Sequence, residues 1–217
     1  MALEGPFSLP VSFDLAATFL FGITGALVAL ERGYDVVGLF AIAFVTGVGG
    51  GLIRDGVFIQ EGPPFVTSGS GYILVVLASC LAAFLFHRRL KRLHRTVAIL
   101  EALGLGAYAV VGVDKSLAGG LSVAAAILVG TINAVGGGVL RDVLTREEPL
   151  LFKPGQFQAL AALAGCSAFT LLRLQFDLEH ATAAYLTIAL TFVLRILAIR
   201  YNWKTEALKA EPPEDED

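Results

Sequence analysis

One seven-residue pattern occurs twice in the chain. Residues 49–55 read Gly49-Gly50-Gly51-Leu52-Ile53-Arg54-Asp55, and residues 136–142 read Gly136-Gly137-Gly138-Val139-Leu140-Arg141-Asp142. Each copy ends a long apolar run. A glycine inside a helix costs roughly 1 kcal/mol relative to alanine. The same triplet in the same context twice therefore predicts an internal duplication with a break in two related helices.

The surrounding composition fixes the solvent. Of 217 residues, 56% are apolar and 16% charged, against a usual quarter or so for charge, and the mean hydropathy is +0.74. This is the composition of an integral membrane protein. Lipid offers no partner to a free backbone N–H or C=O, so helices are the natural spanning element, and the period-2 alternation of a membrane barrel is absent. Helical stretches near the 20 residues that cross a bilayer run at about 11–30, 36–59, 71–86, 96–113, 120–144, 156–172 and 181–199. Asp114-Lys115 reads as a turn after the fourth.

The net charge of −3 comes largely from the tail Glu211 to Asp217 and implies no nucleic-acid or other strongly charged partner. Residues 1–205 read as a single membrane domain and 206–217 as a charged, disordered tail. Cys80 and Cys166 lie in apolar spans and read as packing residues. His87, His94 and His180 show no metal-ligand spacing, so no metal or other cofactor is expected. No basic residue precedes the first apolar run, which argues against a cleaved leader.

A shift of 87 residues lays the first pattern on the second. It also lays Asp14 on Glu101, Gly25 on Gly112, Gly33 on Gly120 and Thr46 on Asn133. Spans one to three (about 11–86) thus match spans four to six (about 96–172), with a seventh left over at about 181–199. Three is odd, so the second copy enters from the opposite side. The architecture expected is an all-α membrane protein of two inverted three-helix repeats plus a seventh helix, with its site near the midplane. Arg88, Arg89, Lys91, Arg92 and Arg95 cluster in one loop. The positive-inside rule then places the N-terminus outside and the C-terminus in the cytoplasm of a plasma or inner membrane. The same loop suits anionic lipid headgroups. Arg195 is expected to reach the cytoplasmic interface.

Each triplet lies about 13 residues into its helix, roughly 20 Å from that helix's start, so the two breaks approach the middle of the bilayer from opposite sides. Carbonyls freed near Thr46-Gly47 and near Asn133 carry the negative partial charge that suits a cation, and the side-chain oxygens of Thr46 and Asn133 add to it. The N–H groups beyond each break, with Arg54 and Arg141, offer the opposite polarity. Asp55 and Asp142 are placed to neutralise those arginines. Gly47, Gly49, Gly50 and Gly51, with Gly136, Gly137 and Gly138, complete the candidate pathway. The competing reading makes the glycines contacts between closely packed helices and the arginines ion-paired within the protein. A phosphate loop is disfavoured, because the glycine pattern lacks its third fingerprint position and no Lys-Ser or Lys-Thr follows. No nucleophile–base pair is visible, so no enzyme activity is expected.

Seven spans as three plus three plus one, with the repeated Gly49–Asp55 and Gly136–Asp142 motifs, resemble the prokaryotic relatives of the trimeric intracellular cation (TRIC) channels over nearly the whole chain. The motif is also similar to that of a related bacterial membrane family named for glycine transport. The channel resemblance implies a homotrimer with one pore per subunit, potassium or sodium as permeant ions, and kinked second and fifth helices lining each pore. The second resemblance implies a secondary transporter for glycine or a similar small solute. A purely structural or assembly protein is the third class.

Overall fold

The computed structural model describes residues 9–67, 71–91, 94–149, 151–152 and 157–203, and the side chains of 88–97 are not among those described. The charged tail, Lys153, and the centre of the basic loop at 92–93 therefore lie outside the described residues. The helices are α1 (Val11–Glu31), α2 (Val36–Ile53), α3 (Gly71–Lys91), α4 (His94–Ala118), α5 (Val123–Leu144), α6 (Gln158–Leu174) and α7 (His180–Arg200). A π-helical segment, Arg54–Ile59, extends α2, and a short 3-10 turn spans Phe65–Thr67. By length and composition, α1, α2 with its π extension, α5 and α7 are apolar enough to cross a membrane. The apolar stretches Gly71–His87 of α3 and Gln158–Leu174 of α6 are shorter.

The duplication is visible in the turns. Gly33 and Gly120, repeat mates, end the first helix of each half with φ of 70° and 75°, a conformation costly for a residue with a Cβ. Two residues on, the mates Asp35 and Ser122 cap the next helix. Asp35 accepts from the Gly38 N–H at 2.8 Å, and Ser122 from the Ala125 N–H at 3.4 Å, satisfying donors that a helix start leaves open. Helices α1 and α2 pack on one another, as do α4 and α5, and the halves meet where α2 crosses α5 and α1 lies against α4. Helix α7 covers α4 and α6. One apolar cluster fills the first half around Ile23, Val48 and Val76. The other fills the second half around Leu105, Val110 and Phe169, and takes in Ala17 and Phe21 of α1.

Three sequence expectations are corrected. The triplets do not break their helices, for both α2 and α5 continue through them. The reason is contact across the crossing. A Cβ on Gly50 would overlap the carbonyl oxygen of Asn133, and a Cβ on Gly137 would overlap that of Thr46. These four residues form two pairs of repeat mates, so the crossing is symmetric. Backbone packing of this closeness, with Cα–H groups facing carbonyls, offsets the glycines' low helix propensity. Regular α-helix gives way only later and in one half, at Arg54. Second, Asp114-Lys115 is no turn. Helix α4 runs on to Ala118 and buries both residues, because Lys115 has a carboxylate partner on α1. Third, Arg195 is buried in the bundle, in the electrostatic field of Glu101.

Candidate functional site

Each half contributes one polar pocket at the end of its motif helix. The first lies where α2 becomes π-helical and is lined by Asp14, Thr18, Gly51, Arg54, Asp55 and Tyr72, with Tyr108 and the Pro64-Phe65-Val66 segment. Arg54 is 1% exposed. Its Nε donates to Asp55 Oδ1 at 2.6 Å, and its Nη1 to Asn133 Oδ1 at 3.2 Å. Asp14 is held separately. Its Oδ2 accepts from Lys115 Nζ at 2.6 Å and from the Tyr72 hydroxyl at 2.8 Å. A strap closes the mouth: the Phe65 backbone N–H donates to Asp55 Oδ2 at 3.2 Å, and Lys115 Nζ sits 3.7 Å from the centre of the Phe65 ring, a cation–π distance.

The second pocket is lined by Phe21, Glu101, Val135, Gly138, Val139, Arg141, Asp142, Leu151 and Gln158. Arg141 is buried. Its Nε donates to Asp142 Oδ1 at 2.9 Å. Its Nη1 donates to Glu101 Oε1 at 2.9 Å and to Thr24 Oγ1 at 3.4 Å. Burying such charges away from water requires this pairing, because desolvation costs several kcal/mol per ion. Each pocket is small, with room on the scale of a single water molecule.

Between the pockets lies the glycine crossing. Of the residues expected there, Gly50 and Gly137 carry the crossing itself, and Gly136 stands beside Gly50. A Cβ on Gly49 would strike the Leu140 side chain. The Gly47 carbonyl accepts from the Tyr108 hydroxyl. Thr46 Oγ1 turns back to the Ile42 carbonyl at 2.6 Å, so that hydroxyl is used within its own helix. Asn133 donates from Nδ2 to the Tyr108 carbonyl at 2.7 Å and accepts from Arg54. Gly51, Arg54 and Asp55 line the first pocket, and Gly138, Arg141 and Asp142 the second. Gly25 and Gly112 also face this region: a Cβ on Gly25 would meet Thr46, and one on Gly112 would meet Gly130 and Asn133.

Sequence reasoning did not place Lys115, Tyr72, Tyr108, Phe21 or Thr24 at the site. A signal existed for one pair, because Phe21 and Tyr108 are 87 residues apart and so occupy the same place in the two halves.

A family model described as "Glycine transporter" matches the chain twice, over residues 11–88 and 98–174. The chain belongs to that family. Separately, the chain is similar over most of its length to membrane proteins of comparable size. A UPF0126 membrane protein of Deinococcus radiodurans is 34% identical over 185 residues, 84% of this chain and 86% of that protein. The UPF0126 inner membrane protein YadS of Escherichia coli K12 is 30% identical, covering 88% and 92%. Among solved structures, a chain from a study of conductance through TRIC cation channels superposes with a TM-score of 0.82 at 30% identity, covering 93% of this chain and 98% of that one. The TRIC trimeric intracellular cation channel orthologue from Rhodobacter sphaeroides gives 0.82 at 32% identity, covering 88% and 97%. The chain thus shares the TRIC fold, two inverted three-helix repeats with a seventh helix, as its motifs suggested.

Proposed function

We propose that the protein is a monovalent cation channel of the inner membrane, permeable to potassium and sodium, with a pathway inside each protomer of a homotrimer. The observation that carries this reading is the pair of repeat-related polar pockets, each built on one Gly-Gly-Gly-x-x-Arg-Asp motif, approaching one another at the α2–α5 crossing. The pathway runs from Arg54 and Asp55 past Gly51, Gly47 and the crossing of Thr46, Gly49 and Gly50 with Asn133, Gly136 and Gly137, to Gly138, Arg141 and Asp142. Helices α2 and α5 line it, together with α1 and α4. The likeness to TRIC channels in sequence and fold supports both the solute class and the trimer. Each pocket's guanidinium is occupied by its neighbouring carboxylate, the arrangement of a closed state. The first pocket faces outward and the second the cytoplasm. The protein performs no covalent chemistry and needs no cofactor, and membrane lipids are its other partners.

A second reading has its own observation. Each pocket sets a guanidinium beside a carboxylate, the pair that would hold the carboxylate and ammonium of a free amino acid, and the family's name points to glycine. Purified protein in planar bilayers and proteoliposomes separates the two. Unitary potassium currents in symmetric potassium, with no saturable uptake of radiolabelled glycine, are expected. Saturable glycine uptake without unitary currents would replace the channel with a transporter.

A further inference from the structure

The two pockets are divided by two rings as well as by the backbone crossing. Phe21 of α1 lines the second pocket, and its repeat mate Tyr108 of α4 lines the first. Their ring centroids are 5.3 Å apart, a packed aromatic contact, and both residues are almost fully buried. Tyr108 is latched at both ends. Its hydroxyl donates to the Gly47 carbonyl and lies 2.8 Å from Thr18 Oγ1, while its carbonyl takes the Asn133 amide. Phe21 is seated in space left by Gly104, where a Cβ would fall within 2.8 Å of the ring. The two residues differ by one hydroxyl, and that hydroxyl ties the ring on α4 to the motif helix α2.

We infer that the Phe21–Tyr108 pair is the movable barrier between the two pockets, and that the Tyr108 hydroxyl holds it shut against α2. This rests on the channel reading for its ion but not for its geometry. The glycine crossing is backbone against backbone and yields only by moving whole helices. The rings move by side-chain rotation once the hydroxyl's bonds are released, which makes them the lower-cost route to a continuous opening. The pair also sets what passes: the faces of two aromatic rings present partial negative charge to a cation and nothing of the kind to an anion.

The test uses full-length protein in which Cys80 and Cys166 are replaced by alanine and one reporter cysteine is introduced, Leu52→Cys in the first pocket or Val139→Cys in the second. Reconstituted in vesicles, each reporter should react with a membrane-impermeant thiol reagent from its own side alone. Adding Phe21→Ala with Tyr108→Ala should let each react from both sides. The milder Tyr108→Phe keeps the ring and removes the latch. It should raise potassium flux about tenfold or more, the population shift set by losing the hydroxyl's bonds to Gly47 and Thr18, and Thr18→Val should raise it less. One-sided labelling in folded Phe21→Ala/Tyr108→Ala protein, or unchanged flux in Tyr108→Phe where the parent itself conducts, would overturn the barrier assignment. If labelling becomes two-sided but neither parent nor variants pass potassium, the barrier stands and the channel reading fails.

Discussion

Arg54 and Arg141 occupy the same position in the two halves, yet they are neutralised differently. Arg141 binds both its neighbour Asp142 and Glu101 of the first helix of its half. Arg54 binds Asp55, but the mate of Glu101, Asp14, is taken by Lys115 and Tyr72, and Arg54 turns instead to the neutral amide of Asn133. The cause is Lys115, whose mate in the first half is Val28. One cation reaching across from the end of α4 has thus rewired one of two duplicated sites. The first pocket balances two cations with two carboxylates. The second sets one arginine against two carboxylates, with Arg195 in the field of Glu101 beyond them. Duplication supplied the same parts, and neighbours outside the motif decided the charge each pocket presents.

The largest effect should come from the feature the halves share. Gly50→Leu and Gly137→Leu each drive a side chain into a facing carbonyl that has no rotamer to escape by, so both are expected to abolish potassium flux and to lower the yield of monodisperse protein on gel filtration. Gly138→Ala meets nothing within 4 Å and should fold with the yield of the parent. Equal tolerance at Gly137 and Gly138 would remove the crossing as the organising contact.

Next in size is the arginine comparison. Removing Arg141 leaves the buried Asp142 and the part-buried Glu101 without their shared cation, and breaking a buried pair costs about 3–5 kcal/mol. Arg54→Gln strands only Asp55, which keeps the Phe65 N–H. Thermal unfolding in detergent should therefore show a larger loss for Arg141→Gln than for Arg54→Gln. Glu101→Gln should restore part of the loss in Arg141→Gln, and the same substitution alone should destabilise. Equal losses from both arginines would mean that the rewiring by Lys115 has no energetic weight.

The smallest effect sharpens the same point. Tyr72→Phe removes one hydrogen bond to a charged acceptor, a loss of about 1.5 kcal/mol, while leaving the Lys115–Asp14 pair intact. A loss as large as that in Arg141→Gln would show Tyr72, and not Lys115, to be the principal partner of Asp14.

The pattern of seven helices and the pairing of halves were legible because apolar runs and an 87-residue shift are properties of the sequence alone. The Arg-Asp pairs were legible for the same reason, since each acid follows its base directly. Lys115 was not. A charged Asp114-Lys115 step at the end of an apolar run reads as a turn, and the carboxylate that lets it stay helical and buried lies 101 residues away. The glycine triplets were open to both readings. Whether three glycines bend a helix or stay within it depends on whether another backbone lies against them, and that neighbour belongs to the other half of the chain.

The π-helical segment after α2 records how the halves have diverged. In both, the motif aspartate's carbonyl accepts from the N–H five residues on, Gln60 in one case and Glu147 in the other. The residue that turns the chain with positive φ is Gln60 in the first half but Arg146 in the second, 86 residues later where every earlier landmark keeps 87. The first half therefore carries one extra amino acid between its motif and its exit turn, and a widened helical turn is where the fold has stored it. The extra residue is absorbed without disturbing the motif, so two matching cores end in different mouths.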